Sequence, residues 1–417
     1  MREMKDSGIE WIGNIPVSWK IVKVKYNFTN KKDIAGILAD DYERLALTMN
    51  GVIKRSKEDN NGLQPEKFET YQVLNEGELV FKLIDLQNVS TSRVGLSPFI
   101  GLVSPAYIII KRNGEVLSEF AEKFFLSMWK NQIFNAMGDS GVRSSLNTKD
   151  LLEIQMVFPS ESEQKAIADY LDSKCAELDN IISDIQSQIE ALEEYKRSVI
   201  TEVVTKGLDP DVEMRDSGVQ WIGMMPTHWD CQRGKYLLRY VQKPVRDDDG
   251  VITCFRDGEV TLRSNRREEG FTMADKEIGY QGIDVGDLIV HGMDGFAGSI
   301  GISDSRGKAS PVLNVLDTEQ NKRYIMYYLR SMAYNDVFVA LATGIRVRSC
   351  DLRWNKLAEL LYPMPPVEEQ QAIVEHIDSV LERTNAIIAD KKQQIETIEE
   401  YKKSLIFEYV TGKKTCK

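Results

Sequence analysis

The sequence predicts an α+β protein in which two tandem mixed α and β domains are separated by two long antiparallel coiled-coil helices. Two segments of the chain recur about 206 to 210 residues later, the second of them carries a long heptad pattern, and the sequence between them is rich in short strand-like runs. The chain has 417 residues, 42% of them hydrophobic, which is ample for two cores. We therefore predict four segments, namely a first domain at 1–158, a first spacer helix at 159–208, a second domain at 209–364 and a second spacer helix at 365–417.

The first recurring segment, here called the framing segment, covers residues 4–19 and reappears at 214–229 with 9 of 16 residues identical. Both copies read Asp-Ser-Gly-x-x-Trp-Ile-Gly-x-x-Pro-x-x-Trp. A match of this length and spacing indicates a tandem duplication. We expect the tryptophans of the framing segments to pack each segment against its domain; they are Trp11, Trp19, Trp221 and Trp229.

The second recurring segment covers residues 158–205 and 364–411, with 22 of 48 residues identical. Its apolar residues repeat every 3.5 positions, and 161–205 contains neither proline nor glycine, so we predict one helix roughly 68 Å long at ~1.5 Å per residue. If a pseudo-two-fold axis relates the halves, the two helices run antiparallel. The predicted helix–helix seam consists of Leu171, Leu178, Ile182, Ile185, Ile189, Leu192, Ile377, Leu381, Ile388, Ile395, Ile398 and Leu405.

Polar residues interrupt this seam at Lys196, Thr384 and Lys391. Such intrusions either fix the register of a coiled coil or mark a gap in the contact, and the pattern alone leaves both open. Ser160 and Glu163 have the spacing of a capping box at the start of the first helix.

Between the recurring segments the halves share little beyond a few landmarks. We predict strands at 78–84 and 287–290 and amphipathic helices at 120–129 and 324–330. Recurring segments that enclose different sequences suggest one scaffold with two different recognition surfaces. Drift after duplication would also diversify the sequence between the recurring segments. The landmarks are Tyr71-Gln72 with Tyr280-Gln281, Gly77-Glu78-Leu79 with Gly286-Asp287-Leu288, and Ser104-Pro105 with Ser310-Pro311.

The formal net charge of −11 would by itself argue against nucleic acid as a ligand. Residues 1–160 and 214–365, however, each hold 20 basic and 20 acidic residues, whereas 161–200 holds 4 basic and 10 acidic. The acidic excess therefore belongs mainly to the helices and the junction after the first one, and either domain remains compatible with DNA binding.

Inside the domains, basic residues cluster near turns at roughly matching places in the two halves. Arginine and lysine on loops suit contacts to phosphates and guanine edges, and neighbouring amides can read bases. Solvation of a charged loop is the simpler alternative for any single residue. The candidate DNA-binding residues are Lys54, Arg55, Lys57, Arg143, Arg263, Asn265, Arg266, Arg267, Arg346 and Arg348.

Motifs for catalysis are missing from the sequence. There is no phosphate-binding GxxxxGK[ST] loop within a domain and no GxGxxG after a strand, and the three histidines are isolated, so no catalytic or metal-ligating residue is predicted. Glu194-Tyr195-Lys196 and Glu400-Tyr401-Lys402 are interpreted as helix surface. The five cysteines are scattered and are expected to be free thiols or small core residues. Short apolar runs and the absence of a signal peptide predict a cytoplasmic protein.

Taken together, the duplicated framing segment, the variable domain and the Pro-x-x-x-Glu-Gln-x-Ala-Ile sequence that leads into a helix ending Glu-Glu-Tyr-Lys resemble the specificity subunit of type I restriction-modification enzymes. The likeness covers essentially the whole chain. It implies that each domain is a target-recognition domain for one half of a bipartite, asymmetric DNA site, and that the helices set the gap between the halves.

The resemblance also implies partners for a chain that binds no cofactor itself. Two methyltransferase subunits would dock on it and use S-adenosylmethionine to methylate adenine, and restriction subunits would require ATP and Mg²⁺. The alternative function is a coiled-coil adaptor that binds proteins and never contacts DNA.

Overall fold

The computed structural model of the chain describes residues 2–59, 67–86, 92–137, 145–266, 278–341 and 352–416. The chain divides into two compact units. The first unit contains residues 1–185 together with 392–417, and the second contains residues 186–391. Each unit thus combines one mixed α and β domain with parts of both long helices.

The first half of the chain contains twelve strands and four α-helices among its described residues. The strands are β1 (Met4–Asp6), β2 (Asn14–Pro16), β3 (Lys20–Lys23), β4 (Phe28–Lys31), β5 (Arg44–Thr48), β6 (Gly51–Arg55), β7 (Gln72–Leu74), β8 (Leu79–Phe81), β9 (Val94–Leu96), β10 (Gly101–Val103), β11 (Ile108–Arg112) and β12 (Gln155–Phe158). The helices are α1 (Ser118–Lys130), α2 (Ile133–Met137), α3 (Thr148–Glu153) and α4 (Glu161–Lys206).

The second half repeats this order of elements, with one additional short helix after its third strand. The strands are β13 (Met214–Asp216), β14 (Met224–Pro226), β15 (Asp230–Arg233), β16 (Arg239–Tyr240), β17 (Ile252–Cys254), β18 (Val260–Leu262), β19 (Gln281–Ile283), β20 (Leu288–His291), β21 (Ile300–Ile302), β22 (Gly307–Ala309), β23 (Leu313–Asp317) and β24 (Leu361–Met364). The helices are α5 (Gly234–Leu237), α6 (Lys322–Tyr334), α7 (Val337–Ala340), α8 (Trp354–Leu357) and α9 (Val367–Val410).

The central sheet has the same strand order in both domains. The order is β4-β11-β8-β9 in the first domain and β16-β23-β20-β21 in the second, and all neighbouring strands are antiparallel. The residues of β8 are fully buried because the sheet is covered on both faces. Phe81 faces α1, where its ring lies 4.9 Å from that of Phe125, and Val80 belongs to a separate core on the opposite face.

A second sheet forms that opposite core. In the first domain its order is β6-β5-β10-β7, in which β5 and β10 are parallel. In the second domain β17 pairs with β18 and β19 pairs with β22, and a parallel bridge from Val251 to Lys308 joins the two pairs. The two domains therefore share a sheet topology, although their sequences between the recurring segments share little.

Buried polar contacts explain why some landmarks recur in both halves. The side-chain amide of Gln72 donates to the carbonyl of Tyr107 at 2.9 Å, and that of Gln281 donates to the carbonyl of Leu313 at 2.7 Å. Buried amides need such partners. The glutamine therefore ties the start of one strand to the segment that begins with the Ser-Pro landmark in each domain.

The acidic residue of the Gly-[Glu/Asp]-Leu landmark is also buried. Glu78 pairs with Lys31 at 3.1 Å and Asp287 pairs with Lys243 at 2.6 Å. Each carboxylate also accepts a backbone N–H from three residues earlier, at 2.8 Å in both cases. The landmark closes the turn that leads into the central strand.

The long helices confirm the heptad prediction, since α4 and α9 contain 46 and 44 residues. Within the first unit, Lys402 Nζ lies 2.5 Å from the carboxylate of Asp179, and the rings of Tyr170 and Tyr409 lie 4.5 Å apart. Residue numbers rise along one helix as they fall along the other, so these parts of the helices are antiparallel. The predicted seam residues are buried or half-buried throughout.

Within the second unit the same antiparallel pairing continues across the polar interruptions. Lys196 donates to Asn385 Oδ1 at 2.7 Å, and Lys391 donates to Gln188 Oε1 at 2.5 Å. Both lysines therefore bridge the helices. Thr384 is buried, and its hydroxyl bonds the carbonyl of Val380 in its own helix at 2.8 Å, so it adds no polar contact across the seam.

The start of each long helix holds a framing tryptophan. Trp19 is buried and its indole N–H donates to Glu163 at 3.3 Å. The predicted capping box at Ser160 forms only in part: the hydroxyl accepts from the backbone of Glu163 at 3.4 Å, but the Glu163 side chain bonds that hydroxyl and the indole. The tryptophan takes the contact that a complete box would give to the backbone N–H of Ser160.

The end of the opposite long helix completes this junction. Gly412 has a φ of +73° and follows α9, and a Cβ there would lie 2.5 Å from Pro16. A left-handed glycine is the usual way to end a helix, and here it also allows close approach to the framing segment. In the second unit Gly207, with a φ of +78°, lies against Trp229 in the same manner.

Candidate nucleic-acid interface

The first group of predicted basic residues lies at the end of the β5–β6 hairpin. Lys54 and Arg55 are the last two residues of β6. Lys54 Nζ lies 2.5 Å from Glu43 and 5.2 Å from the centre of the Phe99 ring. Arg55 donates from Nε to Asp59 at 2.8 Å. The hairpin thus holds two cations on its last two residues, each with a carboxylate close by.

Lys57, the third member of this group, is held more tightly. It donates to the carbonyl of Ala39 at 2.8 Å and lies 5.7 Å from the centre of the Phe68 ring. Its side chain is 28% exposed, against 52% for Lys54. Lys54 is therefore the most accessible of the three predicted contacts in the first domain.

The second group lies directly after the β17–β18 hairpin, in a 3₁₀ turn at Arg263–Asn265. Arg263 donates from Nε to the hydroxyl of Thr253 at 3.3 Å, and Asn265 donates from its amide to the hydroxyl of Thr261 at 2.8 Å. Both threonines belong to the hairpin. The strands therefore orient the two polar side chains that follow them.

Arg266 extends this group toward the tip of the hairpin. Its guanidinium lies 4.1 Å from the centre of the Phe255 ring and bonds Asp257 at 2.8 Å and Glu259 at 2.9 Å. Stacking on an aromatic ring restricts the planar guanidinium, and both carboxylates contact the same nitrogen of it, Nη1. The arginine is preorganised for a bidentate acceptor such as a guanine edge or a phosphate.

The two groups occupy corresponding places in the two domains. β5–β6 and β17–β18 are the hairpins next to β10 and β22 in the equivalent sheets. The side chains they present differ, with lysine prominent in the first and arginine and asparagine in the second. Partly exposed ion pairs contribute only ~0–1 kcal/mol, so DNA could displace the neighbouring carboxylates at little cost.

Four predicted residues lie outside the described part of the chain. They are Arg143, Arg267, Arg346 and Arg348. Just after two of these segments, the backbone N–H of Leu146 donates to the carbonyl of Leu83 at 2.9 Å and that of Leu352 donates to the carbonyl of Gly292 at 2.8 Å, which are equivalent contacts in the two domains. The contacts of all ten predicted residues with DNA remain predictions.

Arg256, which the sequence did not single out, is a further candidate contact and lies in the turn between β17 and β18. Its side chain is 66% exposed and pairs with Asp294 at 3.1 Å. Nearby, His291 accepts from the backbone N–H of Asp294 at 2.9 Å, and burial lowers the pKa of its imidazole. The Asp-Gly turn after Arg256 was the available signal, because hairpin turns present their side chains to solvent.

Within the described ranges, no three His, Cys, Asp or Glu side chains are grouped so as to hold a metal ion. The described cysteines are free thiols, as predicted. No described helix combines the length and apolar character that crossing a membrane requires.

Comparison with known proteins finds similarity to specificity subunits of type I restriction enzymes. A Methanocaldococcus jannaschii protein named as the MjaX specificity subunit of a type I restriction enzyme is 23% identical over 318 residues, which cover 73% of this chain and 70% of the relative. The type I restriction enzyme MjaVIII specificity subunit of the same organism is 22% identical over 362 residues, covering 82% and 80%. No protein-family model matches the chain.

A solved structure has the same fold as this chain. A chain from work on complex assembly and conformational transition of a type I restriction-modification system superimposes with a TM-score of 0.65 and 13% identity, over 95% of this chain and 99% of that chain. The resemblance inferred from the repeated motifs is therefore confirmed, and so is the α+β fold with its two long helices.

Proposed function

We propose that this chain is the DNA-sequence specificity subunit of a type I restriction-modification system and has no catalytic activity of its own. The observation that carries the proposal is the pair of equivalent hairpins, which share a scaffold but present different polar side chains. A duplicated reader with two different surfaces suits a DNA site whose two halves differ in sequence. The relatives named as specificity subunits support the same function.

In this proposal each domain is a target-recognition domain that reads one half of a bipartite, asymmetric site. Arg266 and Asn265 would contact base edges in one half, and Lys54 would contact phosphate or a base edge in the other. The paired helices α4 and α9 would set the number of unspecified base pairs between the halves. Their acidic surface would discourage DNA from binding along the helices themselves.

The chemistry of the complex would belong to partner subunits. Two methyltransferase subunits would dock on this chain and transfer a methyl group from S-adenosylmethionine to adenine, and restriction subunits would use ATP and Mg²⁺. This chain would determine which DNA sequence the complex recognises.

Methylation mapping tests the proposal. The chain is co-expressed with its methyltransferase partner in cells without other DNA methylation, and modified bases are located by single-molecule sequencing. The proposal predicts methylated adenines in one asymmetric motif with two specified halves and a fixed gap. A protein–protein adaptor would leave the DNA without such a motif, even when the complex assembles.

A further inference from the structure

A second group of basic residues recurs in both domains, away from the hairpins. In the first domain, Lys23 Nζ lies 2.7 Å from Glu153 Oε2 and Lys25 Nζ lies 2.5 Å from Glu153 Oε1. Tyr26 follows directly, is 68% exposed, and has Lys25 Nζ 5.6 Å from its ring centre. Two cations thus share one carboxylate beside an exposed aromatic side chain.

The second domain contains the same arrangement, with arginine in place of one lysine. Arg233 lies 2.6 Å from Glu359 Oε2, and Lys235 Nζ lies 3.1 Å from Glu359 Oε1. Tyr236 is 75% exposed, with Lys235 Nζ 5.4 Å from its ring centre. In both copies each basic residue contacts a different oxygen of the shared carboxylate.

Both groups occupy equivalent places in the fold. The basic residues end β3 or β15 and continue just beyond it, and in both domains the glutamate lies two residues before the paired strand, β12 or β24. These residues fall just outside the two recurring segments, where the remaining sequence of the halves diverges. An arrangement that recurs there has a reason other than general similarity.

The contribution of these residues to the stability of the fold does not explain why the arrangement recurs. Surface ion pairs contribute about 0–1 kcal/mol, and the carboxylates and cations are 37–53% exposed. An exposed tyrosine ring contributes little to a core. The recurrence therefore points to a ligand that each domain meets in the same chemical form.

We propose that these residues form a DNA phosphate clamp in each domain, Lys23, Lys25 and Tyr26 in the first and Arg233, Lys235 and Tyr236 in the second. A phosphate would take the place of the shared carboxylate, and the tyrosine hydroxyl would donate to a neighbouring phosphate oxygen. The inference rests on the proposed function. It adds contacts that hold either half-site regardless of sequence.

The comparison with the hairpins favours DNA over a protein as the partner. The hairpins differ between the domains, as the base sequence differs between the half-sites. The clamps are alike in the two domains, as the sugar-phosphate backbone is alike in the two half-sites. Each clamp also carries two positive charges against one negative charge, in a domain whose overall charge is neutral. Lysine and arginine neighbours lower the pKa of Glu153 to about 2 and lower that of Glu359, so both carboxylates are charged at neutral pH and compete with phosphate.

The test measures DNA binding by the complex of this chain with its methyltransferase partner. The variants are the pairs K23Q/K25Q and R233Q/K235Q. Fluorescence anisotropy at several salt concentrations uses two duplexes, one with the mapped motif and one with a scrambled sequence. Each paired substitution should make the negative slope of log K against log salt shallower by about 1 to 2. It should weaken binding to both duplexes by the same factor and leave the methylated motif unchanged.

Two further variants separate lost contacts from lost folding. Glu153→Gln removes the competing carboxylate and should tighten binding to both duplexes. Lys174→Gln is the matched control, because Lys174 forms a similar exposed pair with Glu177 at 2.5 Å on α4, without an equivalent in the other half. It should leave the affinity and the salt slope unchanged.

Three results would overturn the clamp or its premise. An unchanged salt slope in both paired variants, with the wild-type motif intact, would refute the clamp and leave the proposed function standing. Loss of the methyltransferase subunit on size-exclusion chromatography, with unchanged DNA affinity of the remaining complex, would identify a protein-docking surface instead. A wild-type complex that methylates no preferred motif would refute the proposed function itself.

Discussion

The tryptophan that ends each framing segment determines how domain and helix meet. Trp229 is fully buried, and its indole N–H lies 3.1 Å from both oxygens of Glu369. Gln370, the residue after Glu369, is buried as well, and its side chain accepts a hydrogen bond from the backbone N–H of Asn321 at the start of α6. Gln164 accepts the equivalent hydrogen bond from Leu117 at the start of α1. The recurring Glu-Gln pair thus has a structural role in both domains.

Removing the indole N–H should destabilise the second unit. Trp229→Phe removes the indole hydrogen bond to the Glu369 carboxylate, which keeps only its contact with His228 Nε2 at 2.9 Å, and leaves a void in a buried site. We therefore expect a loss of about 2–4 kcal/mol in the free energy of unfolding. Trp221→Phe is the matched control, since Trp221 is only half-buried and donates to a neutral hydroxyl, that of Tyr328, at 3.2 Å. Urea unfolding followed by circular dichroism measures both. Equal losses would contradict this role of Glu369.

A network of charges predicts how the second domain responds to acid. Asp284 accepts from Lys243 at 2.8 Å and from Arg306 at 2.6 Å, and these hydrogen bonds lower its pKa to about 2. A carboxylate whose pKa is lowered on folding adds stability above its unfolded pKa of ~4, and that stability is lost as the pH falls toward 2.

The expected effect is small, because the Asp284 side chain is 43% exposed and its pairs are screened by solvent. Asp284→Asn should lower the melting temperature at pH 7, and its deficit relative to wild type should shrink between pH 4 and pH 2. Thermal melts across this range provide the measurement. A deficit that stayed constant or grew in acid would show that the ion pairs are not its source.

At the scale of elements, the two long helices were the most predictable part of the chain. Their heptads gave α4 to within one residue of its observed end, because a long regular pattern leaves few alternatives. The polar interruptions were not predictable from the pattern. Lys196 and Lys391 bridge the helices only because Asn385 and Gln188 lie opposite them, and that depends on register.

The length of the helices should control the spacing of the DNA site. Inserting seven residues into α4 between Ile181 and Ile189, and seven into α9 between Ile387 and Ile395, keeps the heptad phase and adds about 10.5 Å of helix. Methylation mapping should then show a gap longer by about three base pairs, with both specified halves unchanged. A control that substitutes seven exposed residues without changing the length should keep the original gap. The same gap in the lengthened variant would refute the spacer function.

The short strands were harder to predict than the helices. The predicted strand at 78–84 is only Leu79–Phe81, because Glu78 is engaged in the preceding turn. The parallel neighbours β5 and β10 lie more than 50 residues apart in sequence and leave no periodic signal. Sequence reasoning therefore located the basic groups without revealing that both belong to equivalent hairpins.

For the whole molecule, the duplication is the feature that connects sequence to function. The residues that recur maintain the scaffold: the tryptophan junctions, the buried glutamines and the turn carboxylates. The residues that differ make up most of the remaining sequence of each domain, including the equivalent hairpins. Part of the candidate site was predictable, because arginine and lysine near turns are visible in the sequence; their neighbours, such as Phe255 beneath Arg266, required the fold.

The most direct test of two independent readers is methylation mapping with one variant in each hairpin. Arg266→Ala should relax the sequence preference in one half of the motif, weakening discrimination there by about 1–3 kcal/mol, while the other half and the gap stay unchanged. Lys54→Ala should affect only the other half, either by relaxing its sequence or by weakening methylation without changing the motif. If both substitutions altered the same half, or if neither changed methylation at all, the assignment of one half-site to each domain would be wrong.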